Sequence, residues 1–138
     1  MGEHSGETLL CDCVVIGKPV SVNRVWRSGR GHTYKCKAAL AFEAVAIPAL
    51  LNSRRVAGYG GACALDIESH RRTRRRYDLD NCVKQIQDCV QRSGIIIDDS
   101  QIYDLHVCKR KGKRDYVRIR LYAIEEVDED GEEDCFGV

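Results

Sequence analysis

Asp78 and Asp80 are separated by one residue, and Lys84 follows Asp80 by four. In an extended segment, residues two apart leave the chain on one side. Lys84 stands one helical turn beyond Asp80 on the same face, so its long side chain can reach back toward the start of a helix. A second acidic pair, Asp98 and Asp99, follows fourteen residues after Lys84. A helix from about Asn81 to Ser93 travels roughly 18 Å, and Gly94 to Asp99 in extended form covers roughly 16 Å. If the chain doubles back, the second pair lands near the first. Converging carboxylates repel unless cations neutralise them. Mg²⁺ takes oxygen ligands and shares carboxylates with substrate phosphates, so the pattern points to metal-assisted phosphodiester chemistry. Lys84 would stabilise developing negative charge or the leaving oxygen.

The residues just before this pattern are of opposite sign. Arg71, Arg72, Arg74, Arg75 and Arg76 form a dense basic run, suited to a nucleic-acid backbone. Plainer readings fit the same residues. Asp80 can be a helix N-cap, Lys84 and Asp88 a surface ion pair, and Asp98 and Asp99 turn residues. The arginine run can be a solvated face or a localisation-like patch. The total charge of +1 hides an asymmetry: eight of the 21 acids lie in residues 125–134, and no Lys or Arg follows residue 124. The first 124 residues therefore carry 22 bases against 13 acids, a formal +9, which favours a polyanionic partner.

The elements that would position these groups can be read from periodicity. Residues 9–17 read as a strand. Residues 17–33 read as a loop that carries Lys18, Asn23, Arg24, Trp26, Arg27 and Arg30. Residues 38–51 read as a helix, which Pro48 should kink or shorten by its last turn. Residues 62–69 alternate as a half-buried strand with Cys63, Leu65 and Ile67 on one face. A helix ending at Gly94 follows, with Cys82, Val83, Ile86, Cys89 and Val90 on one side. Residues 95–98 form a short buried strand or link. Residues 101–109 and 115–123 alternate as a hairpin about residues 110–114, with Val117, Ile119 and Leu121 inward and Arg118 and Arg120 outward.

The expected fold class is therefore α+β: one small domain over residues 1–124, in the order β-α-β-α-β-β, with a mixed sheet packed against two helices. The acidic segment 125–138 is expected to be a mobile tail. The chain has eight cysteines without a Cys-x-x-Cys pair or paired histidines at zinc spacing, which suits reduced thiols in a core. The sequence contains no eighteen-residue apolar run and does not begin like a signal peptide. A cytoplasmic setting, in a bacterium or a phage-infected host, is the expectation, with no membrane partner.

The stretch from Arg75 to Ile102 resembles the signature of the RusA family of Holliday junction resolvases. The shared elements are Asp78, Leu79, Asp80, Asn81, Lys84, Gly94, Asp98, Asp99 and Gln101. Pro19, Ser21, Asn23 and Trp26 resemble that family's N-terminal loop. The resemblance implies a homodimeric, Mg²⁺-dependent endodeoxyribonuclease, with Mn²⁺ as a substitute, that resolves four-way DNA junctions by symmetric paired nicks in recombination and repair. It implies catalysis by Asp78, Asp80, Asp99 and Lys84, with metal held by Asp78, Asp80, Asp98 and Asp99. DNA would be held by Lys18, Asn23, Arg24, Trp26, Arg27, Arg30, the five arginines of the run and Lys109. A two-fold enzyme suits a two-fold junction. The chain departs from the pattern at Tyr77, which stands where a base is usual, in the acidic Asp66 and Glu68, and in its tail. Alternatives from the residues are a metal-dependent nuclease on forks, flaps or RNA, or a nucleic-acid-binding module that does not cleave.

Overall fold

The computed structural model describes residues 7–73, 77 and 79–126, and of Asn81 only the backbone. The elements run β1 (Thr8–Ile16), β2 (Trp26–Gly29), β3 (His32–Lys35), α1 (Lys37–Ser53), β4 (Cys63–Arg71), α2 (Asp80–Arg92), a 3-10 turn (Asp99–Gln101), β5 (Ile102–Lys111) and β6 (Tyr116–Ala123). Four strands form one sheet in the order β1-β6-β4-β5, and β2 and β3 form a separate ribbon. β6 is antiparallel to both neighbours, whereas β4 and β5 are parallel. The expected α+β class, the two helices and the mixed sheet are all present.

Strand alternation builds one apolar face. Val117, Ile119 and Leu121 of β6 stand in register with Val15, Cys13 and Cys11 of β1. On the other side, Ile119 and Leu121 meet Ile67 and Leu65 of β4. Phe42, Ala46 and Leu50 of α1 and Val83, Ile86, Cys89 and Val90 of α2 close over this face in one core. Removing these side chains from water is the main force holding both helices on the sheet. The seven described cysteines are free thiols, four of them buried, as expected of small core residues. Burial pushes the Cys63 thiol up to about 11 and the Cys89 thiol up to about 12, so both remain neutral.

The opposite face is tied by charge. Arg118 donates to both carboxylate oxygens of Asp12 at 3.0 and 2.8 Å, and Arg120 donates to Glu68 at 2.6 Å. Arg118 and Arg120 do turn away from the core, yet each meets an acid. These pairs give Glu68 a structural role on the sheet. β4 is more deeply placed than a half-buried strand: Asp66, on its polar face, is only 4% exposed.

Three expectations need correction. The segment 17–33 is not wholly loop, because β2 and β3 pair from Trp26↔Lys35 to Gly29↔His32. The turn is Arg30-Gly31, with both residues at positive φ, 50° and 80°, which matches the twist of a tight hairpin. The observed order is therefore β-β-β-α-β-α-β-β. Second, β5 and β6 are not a hairpin, since β4 lies between them. The link crosses the end of β4, where Gly112 donates to the Arg71 carbonyl and Arg72 N–H donates to Asp115 Oδ1. Alternation specifies a strand's faces and not its neighbour, and β4 takes the central place. Third, α1 runs on to Ser53 past Pro48. Ala44 and Pro48 are both exposed, so the hydrogen bond that proline removes lies on the solvent side.

Candidate active site and nucleic-acid interface

The helix that carries Asp80 and Lys84 starts where the charges change sign. Asp80 stands in the first turn of α2, and the N-cap is Leu79, in helical conformation. The plain reading of Asp80 as a capping residue therefore does not hold. Its side chain is exposed, at the end of the helix whose dipole favours negative charge. Lys84 lies one turn on. Its Nζ is 3.2 Å from Asp88 Oδ1 and 3.6 Å from Asp99 Oδ2. The ammonium thus turns toward Asp88 and the returning loop, where the sequence suggested a reach back to the helix start. The hydrogen bond and charge of Asp88, with Asp99 adding to them, raise the Lys84 pKa above its ordinary value.

The return of Asp99 has a definite construction. Gly94, at φ 78°, ends the helix in the left-handed region that glycine reaches without strain. Arg54 Nη1 would lie 3.2 Å from a Cβ there; it donates instead to the Ser93 carbonyl at 2.8 Å. Ile95 and Ile96 are buried, and Ile96 bridges Tyr59. The chain thus pairs with the segment after α1 on its way back. Asp99 N–H meets Gln91 Oε1 at 3.2 Å, and its carboxylate reaches Lys84.

Gln101 holds this loop with every polar atom of its amide. Its Oε1 accepts from Ile97 N–H and Asp98 N–H, both at 2.8 Å. Its Nε2 donates to the carbonyls of Tyr59 at 2.7 Å and Gly61 at 2.9 Å. Asp98 completes a capping box with it, accepting Ser100 N–H at 3.0 Å. Hydrogen bonding from the Ser100 side chain, and then from its N–H, holds the Asp98 carboxyl below the usual carboxylate range. Gln101→Ala is expected to cost about 1–3 kcal/mol, the scale for stranding partly buried polar groups. Native-state amide exchange checks this: Ile97 and Asp98 should exchange faster than in the unaltered protein, and Gln101→Glu should protect them in part. Unchanged exchange in Gln101→Ala would show that the loop is held by other means.

A basic hollow of about 690 Å³ adjoins the start of α2, with Lys18, Arg24, Arg27, Arg71, Tyr77 and Cys82 among its walls. It brings the N-terminal loop and the arginine end of β4 together. Asn23, Arg30 and Arg72 are exposed around the same region of the chain. Tyr77 is docked at the wall of the hollow. Arg71 lies 3.9 Å and Lys109 4.8 Å from its ring centre. Its hydroxyl is 3.1 Å from that of Ser69, and its carbonyl accepts from Lys109 Nζ at 3.1 Å. Arg71 and Lys109, read from sequence as DNA contacts, are seen here to fix the residue that leads into the acidic motif. Asp78, Arg74, Arg75 and Arg76 lie outside the described residues.

Among the described residues, no three acids, histidines or cysteines are grouped to hold a metal ion. Sequence reasoning missed the roles of Gln101, Gln91 and Tyr77. The Asp98-x-x-Gln101 spacing is itself a capping-box signal, so the first was legible. Nothing local marks Tyr77 or Gln91, whose partners come from other elements.

The fold and site together define an α+β domain that sets exposed acids and a lysine beside a basic cleft. The model of the RusA family, described as endodeoxyribonuclease RusA, matches residues 17–122. The chain is 33% identical over 91 residues to the crossover junction endodeoxyribonuclease RusA of Escherichia coli strain K12, covering 66% of this chain and 76% of that one. The enzyme of the same name from Enterobacteria phage 82 matches at the same identity and coverage. That of Escherichia coli O139:H28 is 31% identical over the same share. The chain belongs to the RusA family.

Proposed function

We propose that this protein is a metal-dependent endodeoxyribonuclease that resolves four-way DNA junctions by paired, symmetric nicks, acting as a homodimer. The observation that carries the reading is the meeting of Asp99 with Lys84 on α2, one turn from Asp80 and beside the basic hollow. Family membership supports the substrate, since the relatives are named crossover junction endodeoxyribonucleases.

Carboxylate oxygens suit Mg²⁺, and Mn²⁺ in its place. Asp80 and Asp99 would hold it together with Asp78, and Asp98 would stand beside them while capping its turn. Bound metal supplies an activated water and neutralises charge on the phosphoryl group. Lys84 places a fixed positive charge toward the same region, where it would stabilise the pentacovalent centre or the departing oxygen. Lys18, Arg24, Arg27 and Arg71 would hold the backbone in the hollow. Two copies related by a two-fold axis would present two equal sites to the two opposed strands.

The test is a panel of labelled four-way junction, fork, flap, duplex, single strand and RNA, each incubated with Mg²⁺, Mn²⁺ or EDTA. The reading expects cleavage of the junction alone, in either metal, and none in EDTA. Equal cleavage of forks or RNA would point to a broader nuclease, and cleavage in EDTA would remove the metal from the mechanism. Light scattering at micromolar concentration should give twice the mass of one chain.

A further inference from the structure

Two hollows of different chemistry flank the segment between β1 and β2. The larger, walled by Lys18, Arg24, Arg27 and Arg71, is cationic. The smaller, of about 140 Å³, is walled by Val22, Val25, Trp26, Lys35, Lys84 and Asp88 among others. It mixes apolar side chains, an indole, a glutamine, two acids (Glu43 and Asp88) and two lysines, and it opens beside the candidate catalytic Lys84. Acids in the wall disfavour a phosphate, while a planar group with polar edges suits such a lining. The volume has room for one heterocycle and not for a base pair.

Trp26 stands at the mouth. It is 58% exposed on the β2–β3 ribbon, which is separate from the main sheet. Lys35 Nζ lies 5.5 Å from its ring centre, and the neighbouring positions Arg27, Arg30, His32 and Tyr34 are exposed. An exposed ring within a basic ribbon is the arrangement on which unpaired bases stack, because every base has a π-face and the cations hold its phosphates.

We infer that the hollow beside Trp26 and Lys84 receives a single unstacked DNA base, with its backbone running into the basic hollow. This rests on the DNA reading above and deepens it. Regular duplex has no free base to offer, whereas a branch point, where stacking is interrupted, does. Base capture by Trp26 would therefore distinguish branched from linear DNA close to Lys84.

The chain has a single tryptophan, so its fluorescence reports this contact directly. The probes are a plain duplex and the same duplex with one unpaired thymine, titrated in EDTA so that no cleavage occurs. The bulged duplex is expected to quench Trp26 more strongly at saturation. Trp26→Ala should weaken bulged-duplex binding about tenfold more than plain-duplex binding, on the scale of one base–aromatic stack, and Trp26→Phe should recover part of the difference. Circular dichroism checks that both variants fold. Equal quenching by the two probes, or an equal loss in Trp26→Ala, would overturn the inference and leave the proposed function standing. Failure of the unaltered protein to bind the bulged duplex while it binds a four-way junction would likewise overturn the inference and leave the proposed function standing; failure to bind the junction as well would overturn both.

Discussion

Asp80→Asn and Asp99→Asn should each lower the cleavage rate on a four-way junction by at least about two orders of magnitude, the scale for losing a main electrostatic element of a site. The substitution keeps the shape of the side chain and removes its charge. Asp80 is exposed in the first turn of α2, so little folding energy should change with it. Asp99 differs, because its carboxylate also faces Lys84. Asp99→Asn removes one of two acids beside that ammonium. Junction binding should survive both changes and tighten slightly, since a negative charge near phosphate is lost. Asp78→Asn is expected to behave as Asp80→Asn does. Single-turnover rates with gel-shift affinities separate the two effects. An Asp80→Asn enzyme that cleaves at the unaltered rate would remove Asp80 from the site.

Lys84→Ala is the second large effect, a loss of about two orders of magnitude in rate with metal affinity nearly unchanged, because lysine is not a Mg²⁺ ligand. Lys84→Arg should restore only part, since a planar fork replaces a compact charge. The pH profile carries a further sign. Asp88 and Asp99 raise the Lys84 pKa, so the charged form is favoured and is lost only as pH rises above the ordinary lysine value of about 10.4. This group should therefore cause no fall in rate between neutrality and about pH 10. In Asp88→Asn the largest support of that charge is gone, and the alkaline limb should move downward. A Lys84→Ala enzyme of full activity would return Lys84 to the role of a helix-surface ion pair.

The parts of this site that the sequence made legible are those set by local spacing. Lys84 falls one turn after Asp80 in any helix, and Gly94 marks the helix end through its backbone freedom. The inward face of β6 follows from alternation alone, and Val117, Ile119 and Leu121 are all fully buried. What could not be read was which segments become neighbours. β5 and β6 alternate well enough to suggest a hairpin, yet the more deeply buried β4 separates them. Chain lengths suggested a straight return for Asp99, whereas Ile96 pairs with Tyr59 on the way back and Gln91 and Lys84 receive the loop. The ribbon was hidden because its turn is Arg-Gly, not one of the usual Asn-Gly or Asp-Gly pairs. Tyr77 read as a departure from the family pattern; its partners, Ser69, Arg71 and Lys109, come from β4 and β5, so its anchoring role emerges only with the sheet assembled.

On the proposed function, two copies of this chain cut a four-way junction in opposed strands. A supercoiled plasmid that extrudes a cruciform tests it most directly. Paired nicks across the branch within one binding event convert the circle to a linear form with ends at the cruciform, and Mg²⁺ should be required. Linear product should be the first species to appear, absent in EDTA and absent with Asp80→Asn. Accumulation of open circles without linear product, or cutting that is indifferent to the cruciform, would contradict it.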